Sequence, residues 1–83
     1  MTIEVLYFAA LRERVGHPRE TISSDALTPR DLVAELAARS EGHRAAFADL
    51  AALRCAVDQQ LVDLDAPLGA AREVAFFPPM TGG

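Results

Sequence analysis

Lysine is absent from all 83 residues, the basic charge comes from arginine alone, and cysteine occurs once. Each gap excludes something. With a net charge of −4 and no basic run, the chain lacks the electrostatic footprint of a protein that holds a phosphate backbone, so no nucleic-acid partner is expected. A basic surface on a protein partner suits it better. Without lysine, its side chains cannot accept an isopeptide bond, although its C-terminus can still donate one. The single Cys55 rules out an internal disulfide. No apolar run approaches the roughly 20 residues needed to span a bilayer, and Met1, Thr2, Ile3 and Glu4 open a strand rather than a leader with a basic start and an apolar middle. The expectation is a cytoplasmic chain with no membrane partner.

Side-chain chemistry is equally sparse. No glycine-rich sequence opens a helix, so the chain has no phosphate cradle of its own, and any step driven by ATP must be performed by another protein. His17 and His43 fall in turns, stand in neither ligand nor triad spacing with Cys55, and read as surface histidines. Cys55 is followed by Ala56 and Val57 in an apolar strand and reads as a buried, inert thiol. Asp63 and Asp65 lack the glycine and glutamate of a calcium loop and read as solvated. No metal or bound cofactor is expected.

What remains is a foldable small domain. Apolar residues make up 51% and charged residues 24%, which is enough to form a core and argues against disorder. A chain of this length has room for one core, with a radius of gyration of about 12 Å.

Thr2 to Phe8 alternates, with Ile3, Val5 and Tyr7 on one face. Its other face ends in Leu6 and Phe8, which are either covered by the fold or left as an apolar patch for a partner. Ala10 to Val15 has helical composition and closes at Gly16, His17 and Pro18. Arg19 to Ser23 then reads as a second strand, antiparallel to the first. Thr28, Pro29 and Asp31 form a helix start, with a capping hydroxyl, a proline at N1 and an acid at N3. Leu32, Val33, Leu36 and Ala37 give that helix its buried stripe, and Ser40, Glu41 and Gly42 are expected to end it. Arg44 to Leu53 is a shorter, partly irregular amphipathic segment. Arg54 to Val57 and Leu61 to Val62 form a hairpin about Asp58, Gln59 and Gln60, and Leu64 and Leu68 plug one end of the core from a loop.

The chain ends on an unusual combination. Val74, Ala75, Phe76 and Phe77 make a strand apolar on both faces, as a central strand is, and Pro78 and Pro79 stop its ladder because neither has an N–H. The first and last strands, being the most apolar, are expected side by side and parallel at the centre of a mixed sheet, with the long helix on one face: an α+β domain over residues 1–77. Residues 78–83 then form an extended tail. It spans at most about 20 Å at roughly 3.3 Å per residue, and its root is stiffened by two prolines. Gly82 and Gly83 carry no side chain, so the tail fits a channel closed to any other residue and presents an α-carboxylate at its far end. That carboxylate is a poor electrophile until adenylation gives it a leaving group that a thiol or persulfide can displace.

The opening Ile3 to Glu13, the stretch Ala56 to Val62 and above all Glu73, Val74, Ala75, Phe76, Phe77, Pro78, Pro79, Met80, Thr81, Gly82 and Gly83 resemble the small subunit of molybdopterin synthase, a ubiquitin-like sulfur carrier. One departure is Gly69, Ala70, Ala71 and Arg72 in place of an acid-Gly-acid turn before the last strand. The resemblance implies a β-grasp fold and a carrier subunit whose catalytic side chains lie on the large subunit. It implies that Gly83 is adenylated by a ubiquitin-activator-like enzyme using ATP and is then converted to a thiocarboxylate by a sulfur donor protein. The tail, with Pro79, Met80, Thr81 and Gly82, would enter the large subunit of a heterotetramer and pass sulfur to cyclic pyranopterin monophosphate, building the molybdopterin dithiolene. Phe8, Phe77 and Leu6 would anchor that contact, unless both phenylalanines are core. Three other functions share these features: a sulfur carrier for thiamine thiazole, a ubiquitin-like protein modifier, and a β-grasp binding module whose terminus is incidental.

Overall fold

The computed structural model describes residues 1–78. The chain forms β1 (Thr2–Tyr7), α1 (Ala10–Val15), β2 (Arg19–Ser23), α2 (Pro29–Ala37), α3 (Glu41–Ala46), a 3₁₀ turn (Leu50–Ala52), β3 (Arg54–Val57), β4 (Gln60–Val62) and β5 (Glu73–Phe77). The five strands make one mixed sheet in the order β2-β1-β5-β3-β4. β1 and β5 lie at its centre and run parallel, with Val5 opposite Val74 and Tyr7 opposite Phe76. β2 pairs antiparallel with β1, and β3 pairs antiparallel with both β4 and β5. The last strand is therefore hydrogen-bonded along both edges. This is the β-grasp arrangement, and its radius of gyration is 11.6 Å.

The register divides the sheet into two unlike faces. Ile3, Val5, Tyr7, Ile22, Cys55, Val74 and Phe76 share one face and are buried, because the helices lie over them. α2 begins as its sequence requires: the Thr28 hydroxyl accepts from the Asp31 amide at 3.1 Å, Pro29 opens the first turn, and Leu32, Val33 and Leu36 face the core. Leu64 and Leu68 close one end, where the Arg30 amide donates to the Leu64 carbonyl and the Leu68 amide to that of Leu27.

Two expectations fail in this layer. Ser40, Glu41 and Gly42 do not end α2; Ser40 caps the next helix, its hydroxyl accepting from the His43 amide at 3.1 Å. Gly42 then sits so close to α1 that a Cβ on it would overlap the Arg14 carbonyl oxygen, and this is what lets the two short helices cross. His43 is not a surface histidine. It is 5% exposed, and its Nε2–H donates to Glu20 at 2.6 Å while its Nδ1 meets the Ser40 hydroxyl at 2.7 Å. The Tyr7 hydroxyl donates to the same Glu20 oxygen at 2.6 Å. Burial, and then the bond to Glu20, holds the Tyr7 proton well above the usual phenol range. Burial alone would raise Glu20, but hydrogen bonds from His43 and Tyr7 outweigh it and hold the carboxyl below its ordinary value. Among the described residues no buried side-chain nitrogen or oxygen lacks a partner.

The β3–β4 turn departs from the reading in detail. Gln60 belongs to β4, leaving Asp58 and Gln59 as a two-residue turn with φ of 47° and 71°, the type I′ geometry that matches strand twist. Asp58 also receives the Arg72 and Glu73 amides on Oδ1, each at 3.0 Å. The start of β5 is thereby fixed, without the acid-Gly-acid turn of the resembled family.

Candidate functional site

The site is built around the end of β5. Phe76 points into the core, where its ring meets Phe47 edge-on at 5.2 Å, and Phe47 in turn packs against Tyr7. On its β1 side the Phe76 carbonyl accepts from the Phe8 amide at 3.2 Å. Across the sheet Phe77 lies opposite Arg54 of β3. Pro78 follows, at a cleft of about 230 Å³ lined by Leu11, Ala45, Ala46, Ala52 and Leu53, with Arg14 and Asp49 at its polar positions. The root of the tail is thus pinned from the core side and along both edges.

The open face carries the rest. Leu6, Ala75, Ala56 and Leu61 fall in consecutive positions across β1, β5, β3 and β4 on the side opposite the helices. Phe77 joins them, and the Phe8 ring stands edge-on to it at 6.4 Å. Ala9 has a φ of 53°, turning the chain sharply out of β1 and into α1 just after Phe8. Phe8 is 47% exposed and Leu61 72%, while Leu6 and Phe77 are half-buried. Of the two alternatives for Leu6 and Phe8, the open apolar patch is the one found; among the described residues no helix covers this face. The Arg19–Glu4 ion pair, at 3.1 Å, borders it on the β2 side.

Phe8, Phe77 and Leu6 therefore come together at the point where the tail begins. Pro79, Met80, Thr81, Gly82 and Gly83 lie outside the described residues. Sequence reasoning missed Leu61. An exposed leucine in a three-residue strand gives no signal of its own, and only the Ala56–Leu61 register places it beside the others. Cys55 is where it was expected, 1% exposed, with its thiol pushed up by burial and then by Asp63. Asp65 is not merely solvated: it forms a two-pronged pair with Arg30, Nε to Oδ1 at 2.7 Å and an Nη2 contact to Oδ2 at 3.1 Å. Among the described residues no group of three or more His, Cys, Asp or Glu could hold a metal ion, and no helix is long and apolar enough to cross a membrane.

Known proteins share this architecture from end to end. The molybdopterin synthase sulfur carrier subunit of Escherichia coli is 44% identical over 81 residues, covering 98% of this chain and 99% of its own. The protein of the same name from Mycosarcoma maydis is 39% identical, with 99% and 94% covered. Among solved structures, a Pyrococcus furiosus protein assigned as molybdopterin converting factor, subunit 1, superposes with a TM-score of 0.74 at 28% identity, covering 96% of this chain and 99% of that one. The sequence pattern of the ThiS family matches residues 5–83, a span that takes in the second half of β1, the open-face residues and the glycines at its end, and the chain belongs to the ThiS family.

Proposed function

We propose that this chain is the sulfur carrier subunit of a molybdopterin synthase. The observation that carries the reading is end-to-end likeness to the Escherichia coli sulfur carrier subunit at 44% identity, in a chain that finishes on Gly82 and Gly83. The chemistry suits the residues: with its thiol and phenol buried and no phosphate cradle, this chain supplies a backbone carboxylate, and other proteins act on it. In this reading a ubiquitin-activator-like enzyme adenylates Gly83 with ATP, and a sulfur donor protein displaces AMP to leave a thiocarboxylate. The tail then delivers that sulfur, inside the large synthase subunit, to cyclic pyranopterin monophosphate. The open face of Leu6, Phe8, Leu61 and Phe77 seats against the large subunit, a role suited to aromatic groups beside the tail's root.

Intact mass measurement after incubation with the adenylating enzyme, ATP and a sulfur donor tests this. One terminal oxygen should be replaced by sulfur, and deletion of Gly83 should abolish the change while leaving the melting curve and large-subunit binding in place. Molybdopterin formation by the truncated chain at the full rate would overturn the reading. Copurification with a thiazole synthase in place of the large subunit would redirect it to thiamine, and adducts on lysines of other proteins would redirect it to protein modification.

A further inference from the structure

We propose that this chain is chemically inert toward its own activated terminus: an acyl adenylate formed on one copy finds no stable acceptor among the side chains of another. The proposal rests on the reading of Gly83 as an adenylated carboxyl. It comes from an inventory of the amine, thiol, phenol and imidazole side chains, and of Ser40, whose hydroxyl touches an imidazole.

Lysine, the usual acceptor, is missing from the sequence, and all the cationic side chains are arginines, whose guanidinium stays protonated and has no free electron pair to offer. The single thiol, on Cys55, is 1% exposed and lies 3.4 Å from the Val62 carbonyl oxygen, within range to donate to it. The single phenol, on Tyr7, is 1% exposed and donates to Glu20. His43 is buried with both ring nitrogens engaged. His17 is accessible, but acylation of an imidazole yields an adduct that water hydrolyses. Ser40 is the sharpest test case, because its hydroxyl touches the imidazole of His43, which in turn touches Glu20. That hydroxyl is exposed, and it is also the cap of α3, accepting from the His43 amide, so one of its two lone pairs is already engaged.

The reaction avoided is simple. A neutral amine forms an N–C bond to the carbonyl carbon, the C–O bond to AMP breaks with its electron pair leaving on the phosphate, and the amine proton passes to water. An exposed lysine, with a pKa of about 10.4, would keep a small neutral fraction at cellular pH and capture the carrier irreversibly as an amide. Arginine at the same surface positions gives equal charge without that loss. It also follows that, if the chain is ever joined to another protein, units add singly and cannot build chains through their side chains.

The experiment exposes the full-length protein to acetyl adenylate, a small anhydride of the same electrophile class, and counts acetyl groups by intact mass and peptide mapping both before and after hydroxylamine, which removes esters and thioesters and so tells them from amides. Stable acetylation should be confined to the α-amino group, while R12K/R44K/R72K, placed at exposed positions, should gain up to one acetyl per introduced lysine. Stable acetylation of Ser40, Cys55 or any arginine in the original chain would overturn the proposal. So would a lysine variant that takes up no more acetyl than the original. A second arm uses the adenylating enzyme and ATP without a sulfur donor: dimers linked through a side-chain amide should form with the lysine variant and not with the original, in which any amide link falls on the α-amino group. If neither protein supports AMP release, the carrier reading of Gly83 fails, and the acetyl adenylate result still decides the present proposal.

Discussion

Glu20 holds together groups from three elements, and replacing it should be among the most damaging single changes in the domain. One oxygen accepts from Tyr7 and from His43, each at 2.6 Å; the other lies 3.5 Å from His17 Nε2 and 3.8 Å from Arg39. In Glu20→Ala the Tyr7 hydroxyl and the His43 Nε2–H lose their acceptor inside the core, at a cost of about 1–3 kcal/mol each, or roughly 2–6 kcal/mol together. A domain of this length has a total of roughly 4–12 kcal/mol, so at mid-range the variant should lose about half of it. At about 4–8 °C per kcal/mol the melting temperature should fall by about 8–48 °C. Glu20→Gln keeps an acceptor in place but not the charge, and it separates the two contributions. The carboxyl is held below its ordinary value in the folded chain, so its ionic contribution is fully present above the unfolded pKa of about 4.3 and is lost as pH falls through the lower folded value. Urea melts from pH 7 down to pH 2 should show the original chain weakening in that acid window more steeply than Glu20→Gln. A Glu20→Ala loss below about 1 kcal/mol at pH 7, or parallel pH profiles for the original and Glu20→Gln, would refute the account.

Three further outcomes follow from other parts of the fold. Gly42→Ala should destabilise by about 1 kcal/mol or more in denaturant melts despite alanine's better helix propensity, because its Cβ overlaps the Arg14 carbonyl and α1 must shift. Gln59→Gly should stabilise the chain by a few tenths to about 1 kcal/mol, since φ of 71° suits glycine and the turn becomes Asp-Gly of type I′; an unchanged or lower melting temperature would count against that turn geometry. Leu61→Ala, at a side chain 72% exposed, should change fold stability by less than about 1 kcal/mol yet weaken large-subunit binding about ten-fold or more in calorimetric titration. Equal affinity for both proteins would remove Leu61 from the contact.

The parts of the fold legible in the sequence were those fixed by local pattern. Alternation gave β1 to within one residue, Phe8 lying past its end, the run Arg19 to Ser23 gave β2, and Thr28, Pro29 and Asp31 placed the start of α2, because a capping hydroxyl and a fixed φ act within four residues. Ser40 was misread because the same small polar residues serve as a stop for one helix and a cap for the next. The buried face of α3 was also present as a pattern: Ala46, Phe47 and Leu50 make an apolar stripe whose continuation one turn back lands on His43. A histidine at that position is buried only if an acid waits for it. Glu20 does so through pairing opposite Val5, a long-range fact that no local window contains. Phe8 was ambiguous and Leu61 was missed for the same reason, since exposure on a sheet depends on which face the helices choose.

That choice of face explains how one strand serves both the core and the site. Alternation sends Val74 and Phe76 into the helices and Ala75 and Phe77 to the open side, so β5 is anchored from below by side chains and from both edges by hydrogen bonds. A strand so placed opens only with the whole domain, because freeing it breaks the pairings with β1 and β3 together. An edge strand could not do this, since one row of bonds would let it peel as the tail was pulled. The carrier reading needs a terminus that enters another protein's active site without dragging its own root loose. A central last strand meets that need by topology, and Pro78, having no N–H, ends the ladder where that reading has the delivering arm begin.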